Sequence, residues 1–382
     1  MSIWNNPKFR AILFQSLLII FLLLLFGYLI SNTIHNLEVR GMSTGFGFMQ
    51  EKSGFDILFS LIHYDSDSSY GRTFVVGIIN TILVASISII ITTIMGFLIG
   101  IARLSSNWLV AKLAMIYIEV FRNIPLLLQI MFWYSIILSL PEMRASINLW
   151  DIFYLNNRGF FIPQPIADKG FNLVLITLLL TVIFSIFSTK WNNKRQEQTG
   201  IRLPMFWINT AIIVILPLIV YLLNDQPLHL EYPVKQRFNF KGGMSIIPEL
   251  TALVVALSIY TAAFIAEIVR SGILSVNKGQ IEAANSLGLM PKKVLSLVVI
   301  PQAMRVIIPQ LTSQYLNLTK NSSLATAIGY PDLVAVFAGT TLNQTGRAIE
   351  TISMTMAVYL ILSLLISLFM NWYNKRAQIT ER

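Results

Sequence analysis

Glu119 and Arg122 stand three residues apart inside a long apolar run, and Glu267 and Arg270 repeat that spacing in another. A carboxylate and a guanidinium so placed share one helix face and can pair. In a bilayer each charge is costly unless paired or hydrated, so such residues mark a pathway, a gate or a packing device. A salt bridge that only fixes packing is as open a reading as substrate contact, and Arg122 and Arg270 can also snorkel to the interface. Tyr117, Asn123, Pro125 and Gln129 surround the first pair. Pro125 leaves the carbonyl of Phe121 without its helical donor and permits a kink. A third group, Asn317, Lys320, Asn321, Ser322 and Ser323, follows Pro301 and Pro309, which predict a broken helix with free backbone groups. Together these residues suit a zwitterion. Lys320, Arg122 and the serine hydroxyls donate to a carboxylate, and Glu119, Gln129 and Asn317 accept from an ammonium. The plain alternative for the third group is a loop at the outer membrane face.

A different pattern lies between these groups. Asn277 precedes Gln280-Ile281-Glu282-Ala283-Ala284, then come Gly288, Pro291 and Val298-Val299-Ile300-Pro301. The punctuation predicts a short helix. Asn277 caps it, Glu282 suits its dipole, and Gly288 stops it with Pro291 just beyond. Ile281, Ala284 and Gly288 share a shallow face, which is expected to be exposed and to need a docking partner. An alanine-rich surface helix is the plainer reading.

Much chemistry is excluded. The chain has no cysteine, and its three histidines, His35, His63 and His229, fall in predicted outer loops without metal-ligand spacing. There is no G-x-x-x-x-G-K-[ST] loop to cradle a nucleotide, and no nucleophile–base arrangement stands out. Neither a cofactor nor a metal is called for.

The elements that hold these residues must be membrane helices. Of 382 residues, 55% are hydrophobic and 12% charged, too few charges to clothe a soluble protein of this size. Apolar runs of roughly 20 residues or more suit a bilayer core. They occur near 11–30, 73–102, 109–140, 171–188, 205–223, 250–267, 297–318 and 352–372, about eight spans. The first lacks a cleavage site after it and reads as a retained anchor. The net charge of +10 is placed by topology. Lys8 and Arg10, Lys190, Lys194, Arg195 and Arg202, Lys278, Lys292 and Lys293, and Lys375, Arg376 and Arg382 fall on one side if both termini are cytoplasmic. This positive-inside bias removes any need for nucleic acid. The expected organisation is 1–70, anchor and periplasmic segment; 71–140, first part of a core; 141–243, an insertion with two plain apolar helices between outer loops; and 244–382, second part of the core.

The E-A-A, Gly and aliphatic-Pro spacing from Glu282 to Pro301 resembles the EAA loop of ABC importer permeases. The resemblance implies an all-α membrane protein with a type I (MetI-like) importer core, and a coupling role for Gln280, Glu282, Ala283, Ala284, Gly288 and Pro301 against an ATPase subunit. The run from Tyr117 to Gln129 resembles the Y-x-E-x-x-R-x-x-P-L-L-x-Q signature of the polar amino-acid permease subfamily. Tyr260 to Arg270 and Lys320 to Leu324 are similar to further motifs of that subfamily, which implies a substrate path or gate at Glu119, Arg122, Gln129, Glu267, Arg270, Asn317, Lys320, Ser322 and Ser323. The length, the inserted helix pair and Gly45-Phe46-Gly47-Phe48 resemble the longer Q-type permease of general L-amino-acid importers. Implied partners are an ATPase dimer, a second homologous permease, a periplasmic amino-acid-binding protein and the lipid bilayer of a Gram-negative inner membrane. An ion-driven secondary transporter is the rival class, but it leaves the EAA loop unexplained.

Overall fold

The computed structural model describes residues 7–39, 45–200, 203–236 and 239–377. Arg40, Arg202 and Arg382, and the side chains of Lys8 and Glu38, lie outside that description. Among the described residues seven helices are long and apolar enough to cross a membrane, and an eighth crossing counts if one bent pair is a single span. The chain divides into two compact units, 1–134 with 252–382, and Ser135–Thr251.

The first helix, α1 (Pro7–Val39), runs past the expected end of the anchor and includes His35. Nearly all of its described apolar side chains are exposed, around the whole circumference, as a helix solvated by lipid requires. The core of the first unit is built on α7 (Pro248–Leu274), where Ala252, Leu253, Ala256, Leu257, Ala262 and Ala266 are fully buried. Across from this alanine-rich seam runs α2 (Tyr70–Arg103), which starts at Ser69, whose hydroxyl accepts from the Arg72 amide. Lipid tails give two apolar helices no hydrophobic drive to associate, so close packing of small residues holds them together. Gly96 and Gly100 supply it here. A Cβ on Gly96 would lie 2.5 Å from Ile265, and one on Gly100 2.7 Å from the Ala266 carbonyl oxygen.

Next come α3 (Trp108–Asn123) and α4 (Leu126–Leu138), read from sequence as one kinked span. The kink is a break: the two helices are bent by 106°. After α7 the chain forms α8 (Lys278–Ser286), α9 (Pro291–Val294), a π-helical stretch over Leu295–Val299, and α10 (Ile300–Asn321). The expected break at the prolines is absent, because α10 continues through Pro309. The irregular backbone sits at its two ends instead, in the π stretch ahead of Pro301 and a 3-10 segment over Ser322–Ile328. A proline within a membrane helix removes one hydrogen bond, and local π or 3-10 adjustment absorbs the loss. A second π stretch, Val334–Thr341, leads into α11 (Leu342–Thr345) and α12 (Ala348–Ala377).

The Gly45–Phe48 stretch is tied to this unit. Phe48 is 1% exposed among Tyr70, Leu333 and Phe337. The Gly45 amide donates to the Glu350 carboxylate at 2.6 Å, and Arg347 donates to the Gly45 carbonyl.

The second unit carries strands where the sequence reading had plain outer loops. Strands β1 (Ile147–Leu149), β2 (Phe153–Asn156), β3 (Gly159–Ile162) and β8 (Met244–Ile246) form an antiparallel sheet in the order β1-β2-β3-β8. Strands β4 (Gln164–Ala167) and β5 (Leu228–Glu231) pair, as do β6 (Val234–Lys235) and β7 (Phe240–Lys241). Tyr154 and Asn156 of β2 and Phe161 of β3 are buried, alternating with less buried neighbours at the strand period. His229 pairs with Asp168 at 2.7 Å. Two long helices, α5 (Phe171–Thr199) and α6 (Met205–Leu223), pack together. Their interface corrects the expectation of plain apolar helices. Ser188 donates to Asn209 Oδ1, and Asn209 donates to Thr189 Oγ1 and the Ser185 carbonyl.

Candidate functional site

The short helix α8 is punctuated as its sequence predicts. Asn277 Oδ1 accepts from the Gly279 amide at 2.9 Å, and Gly288 closes the helix at φ +73°. A left-handed residue at this position lets the next amide satisfy a late carbonyl, here Leu289 N–H to the Ala284 oxygen at 3.3 Å. The predicted docking face is corrected. Ala284 is 5% exposed and joins a core with Val276 and Val294, and Ile281 packs against the same core. These residues are small or apolar because α8 lies on its own protein. The free face holds Gln280, Glu282 and Ala283, followed by Leu287 and Met290, which are 80% and 62% exposed. Pro301 sits in the first turn of α10, behind the π stretch that joins it to α9.

A polar cleft of about 330 Å³ opens on the same unit, lined by Arg122, Phe264, Glu267, Gln310, Ser313 and Gln314 among others. Tyr117 fastens α3 to α7 by donating to the Ile259 carbonyl at 2.7 Å. That contact brings the charged end of α3 to α7. Arg122 does not pair with Glu119 among the described residues. Its guanidinium stacks 5.3 Å from the Phe264 ring centre, beside Glu267 in the cleft. Glu119 instead meets Asn123, which donates to its backbone and side-chain oxygens. Glu267 and Arg270 do pair, through three hydrogen bonds of 2.5–3.2 Å, with both side chains 30% exposed. The cleft therefore offers a guanidinium that makes no salt bridge among the described residues, a carboxylate already held by Arg270, and neutral amides and hydroxyls. That set can hold a zwitterion loosely enough to release it.

Gln310, Ser313 and Gln314 escaped the sequence reading, although a signal was present. They fall on one face of α10 with Asn317, at helical spacing within an otherwise apolar segment. Asn317 and Lys320 are exposed farther along the helix, whereas Ser322 is fully buried and donates to the Thr319 carbonyl. Ser323 is turned to the Lys320 carbonyl. Lys320 and Ser323 line a separate cavity with Tyr359 and Thr355 of α12. The third group is thus divided: Asn317 extends the α10 row, and Ser322 belongs to the packing.

Gln129 serves the break between α3 and α4. It is 4% exposed, and its amide nitrogen donates to the carbonyls of Phe121 and Ile124 at 3.0 Å each. Phe121 is the residue whose helical donor Pro125 lacks, so the side chain replaces the missing backbone N–H. Gln129→Leu should cost about 1–3 kcal/mol by leaving both carbonyls without that donor. Thermal unfolding in detergent should show a lower midpoint, with uptake reduced in equal proportion for every substrate. A normal midpoint with altered substrate preference would place Gln129 in contact with substrate.

Residues 181–378 match the family described as binding-protein-dependent transport system inner membrane component. The chain is 53% identical to the general L-amino acid transport system permease protein AapQ of Rhizobium johnstonii, over 100% of this chain and 95% of that one. It is 40% identical to the glutamate/glutamine/aspartate/asparagine transport system permease protein BztB of Rhodobacter capsulatus, over 99% and 96%. The chain belongs to this permease family. It is a multi-span component of the inner membrane with a MetI-like permease core, and its work is transport rather than a catalytic step of its own. Within this permease, α8 carries the Gln280–Ala284 run, and the cleft between α3, α7 and α10 is lined by Arg122 and Glu267.

Proposed function

We propose that this permease is one membrane subunit of an ATP-driven importer that carries a broad range of L-amino acids into the cytoplasm. The observation that carries this reading is full-length identity of 53% to AapQ, whose name states a general L-amino acid system. An ATPase dimer, a second homologous permease and a periplasmic binding protein complete the importer. Eight crossings, with α3 and α4 taken as one, support a cytoplasmic position for both termini and for α8. The free face of α8, from Gln280 to Leu287, docks on the ATPase, and Gly288 and Pro301 set how α8 is joined to the helices beyond it. Residues 1–70, 71–140, 141–243 and 244–382 act respectively as anchor with outer segment, first core part, insertion and second core part.

Transport proceeds by alternating access. A loaded binding protein docks outside, and ATP binding closes the ATPase pair. Motion of α8 then rocks α7 and α10, which bound the cleft. Arg122 meets the substrate carboxylate, while Gln310, Gln314, Asn317 and Glu119 offer acceptors for the ammonium. Glu267 and Arg270 hold the cleft wall, and Lys320, Ser322 and Ser323 shape the far end of α10.

A narrower substrate range is the second reading, favoured by the 40% identity to BztB, named for acidic amino acids and their amides. Uptake of labelled glutamate into vesicles containing the reconstituted importer, with an excess of each unlabelled amino acid, separates the two. Competition by aliphatic, basic and acidic amino acids alike is expected. Competition confined to glutamate, glutamine, aspartate and asparagine would establish the narrower range.

A further inference from the structure

The loop ahead of α2, residues 51–69, has a face that the transport cycle leaves without a role. Its backbone is irregular, and it covers the first three turns of α2. The Tyr70 amide donates to the Glu51 carbonyl, and ten residues farther along the Asn80 side chain donates to the Phe59 carbonyl at 2.9 Å. The loop is firmly seated. Phe55 and Ile57 pack on the core around Phe48 and Phe337, and the Phe59 ring lies 6.4 Å from that of Tyr330. The Tyr64 hydroxyl is 2.8 Å from that of Ser53 and 2.9 Å from that of Thr73. Two leucines among these inward residues point away: Leu58 is 83% exposed and Leu61 50%.

The backbone decides what can cover them. Among the described residues, no amide from Ile57 to His63 donates a hydrogen bond. Unpaired amides are too costly in hydrocarbon, so this stretch faces water or protein and not acyl chains. The length of α2 permits that. Its 34 residues span about 51 Å against a bilayer core of about 30 Å, which lets three turns rise clear of it. An exposed apolar pair on a fixed, water-facing loop suits the centre of a protein contact. The rim of that contact is acidic. Glu51, Asp56, Asp65 and Asp67 stand exposed against Lys52 and Arg72. Lys52 pairs with Asp67 at 2.9 Å, and Arg72 donates to the His63 carbonyl through Nε and Nη2. Glu51, Asp56 and Asp65 make no salt bridge among the described residues and call for cations from outside.

We propose that Leu58 and Leu61, rimmed by these carboxylates, form a docking surface for the periplasmic amino-acid-binding protein, which meets them with an apolar hollow bordered by lysine or arginine. The proposal rests on the importer reading, which puts this loop outside the membrane and supplies a soluble partner there. Docking at this loop bears directly on the helices. The fully buried Asn80 amide nitrogen is shared between the carbonyls of Phe59 and Pro331, at 2.9 Å each. Asp332 beside it accepts from Tyr359 of α12 at 3.2 Å. The loop, α2 and α12 are thereby joined at one point.

In intact cells making the whole importer, Leu58→p-benzoylphenylalanine should cross-link on illumination to a soluble protein that mass spectrometry identifies as an amino-acid-binding protein. The same group at Leu23, in the lipid-solvated α1, should not. The purified importer in lipid nanodiscs is then titrated with the amino-acid-binding protein from the same cells, loaded with glutamate. Leu58→Ser with Leu61→Ser should raise the concentration needed for half-maximal ATP hydrolysis about tenfold and leave the maximal rate unchanged. Asp56→Lys should act in the same direction, more at low salt than at high salt. Cross-linking of Leu58→p-benzoylphenylalanine to phospholipid or to the second permease would overturn the proposal. An unchanged half-maximal concentration in the double variant would overturn it as well. An unaltered importer whose ATP hydrolysis the loaded binding protein does not raise would overturn the importer reading itself, and this surface with it.

Discussion

Gly288→Val is expected to leave the permease inserted in the membrane and to lower ATP-driven uptake by at least about tenfold. Gly288 holds φ +73°, where an L-residue costs about 1–2 kcal/mol and a β-branched one more. Space is not the obstacle, since a Cβ there would meet nothing within 4 Å. The strain falls on the loop alone. Relief of it moves Leu287 and Met290, the apolar residues most exposed beside α8, out of register with a partner surface. Leu287→Asp is the companion variant, because it alters the same surface without backbone strain. A central apolar contact of this kind is worth about 2 kcal/mol or more at an interface, so the ATPase should bind roughly thirty-fold more weakly. Uptake and substrate-stimulated ATP hydrolysis in vesicles check both variants. Normal uptake in both would remove α8 from the coupling path.

Arg122→Ala and Arg270→Ala are expected to fail in different ways. Arg122 is exposed in the cleft, stacked on Phe264 and beside Glu267 with no salt bridge among the described residues, so its loss should scarcely change stability. Uptake should nevertheless fall by about tenfold or more, since a charge-assisted hydrogen bond to a carboxylate is worth about 1.5–3 kcal/mol. Arg270 is committed to Glu267 through three hydrogen bonds at 30% exposure. Its removal leaves a carboxylate unpaired and should cost about 1–3 kcal/mol, between the values for exposed and fully buried pairs. Glu267→Gln with Arg270→Gln should restore most of that stability by removing both charges. Thermal unfolding and initial uptake rates, measured on the same preparations, separate the two roles. Equal uptake by Arg122→Ala and the unaltered protein would exclude Arg122 from the substrate path.

What could be read from the sequence follows the range of the interactions involved. The start and stop of α8 are local matters of Asn277, Gly288 and Pro291, and these were legible. Which face of α8 is free depends on Val276 and Val294, whose burial emerges only when the chain folds back on itself. Charges in apolar runs marked the cleft, but their pairing did not follow from spacing. Glu119 and Arg122 have the same separation as Glu267 and Arg270, yet only the second pair forms, because Phe264 offers Arg122 another seat. Gln129 resembled a ligand-facing amide because the orphaned Phe121 carbonyl becomes a target only once α3 and α4 diverge. The polar row on α10 stands at helical spacing, but Pro309 beside it predicts a break at the same place. Strands of two to four residues between α4 and α7 are too short for their alternation to stand out.

Affinity purification of this permease from mild detergent, with identification and counting of what accompanies it, tests the importer assignment most directly. A nucleotide-binding subunit in stoichiometric amount, together with a second permease carrying its own EAA loop, is the predicted result. A chain that purifies alone and drives amino-acid uptake on an ion gradient without ATP would contradict it.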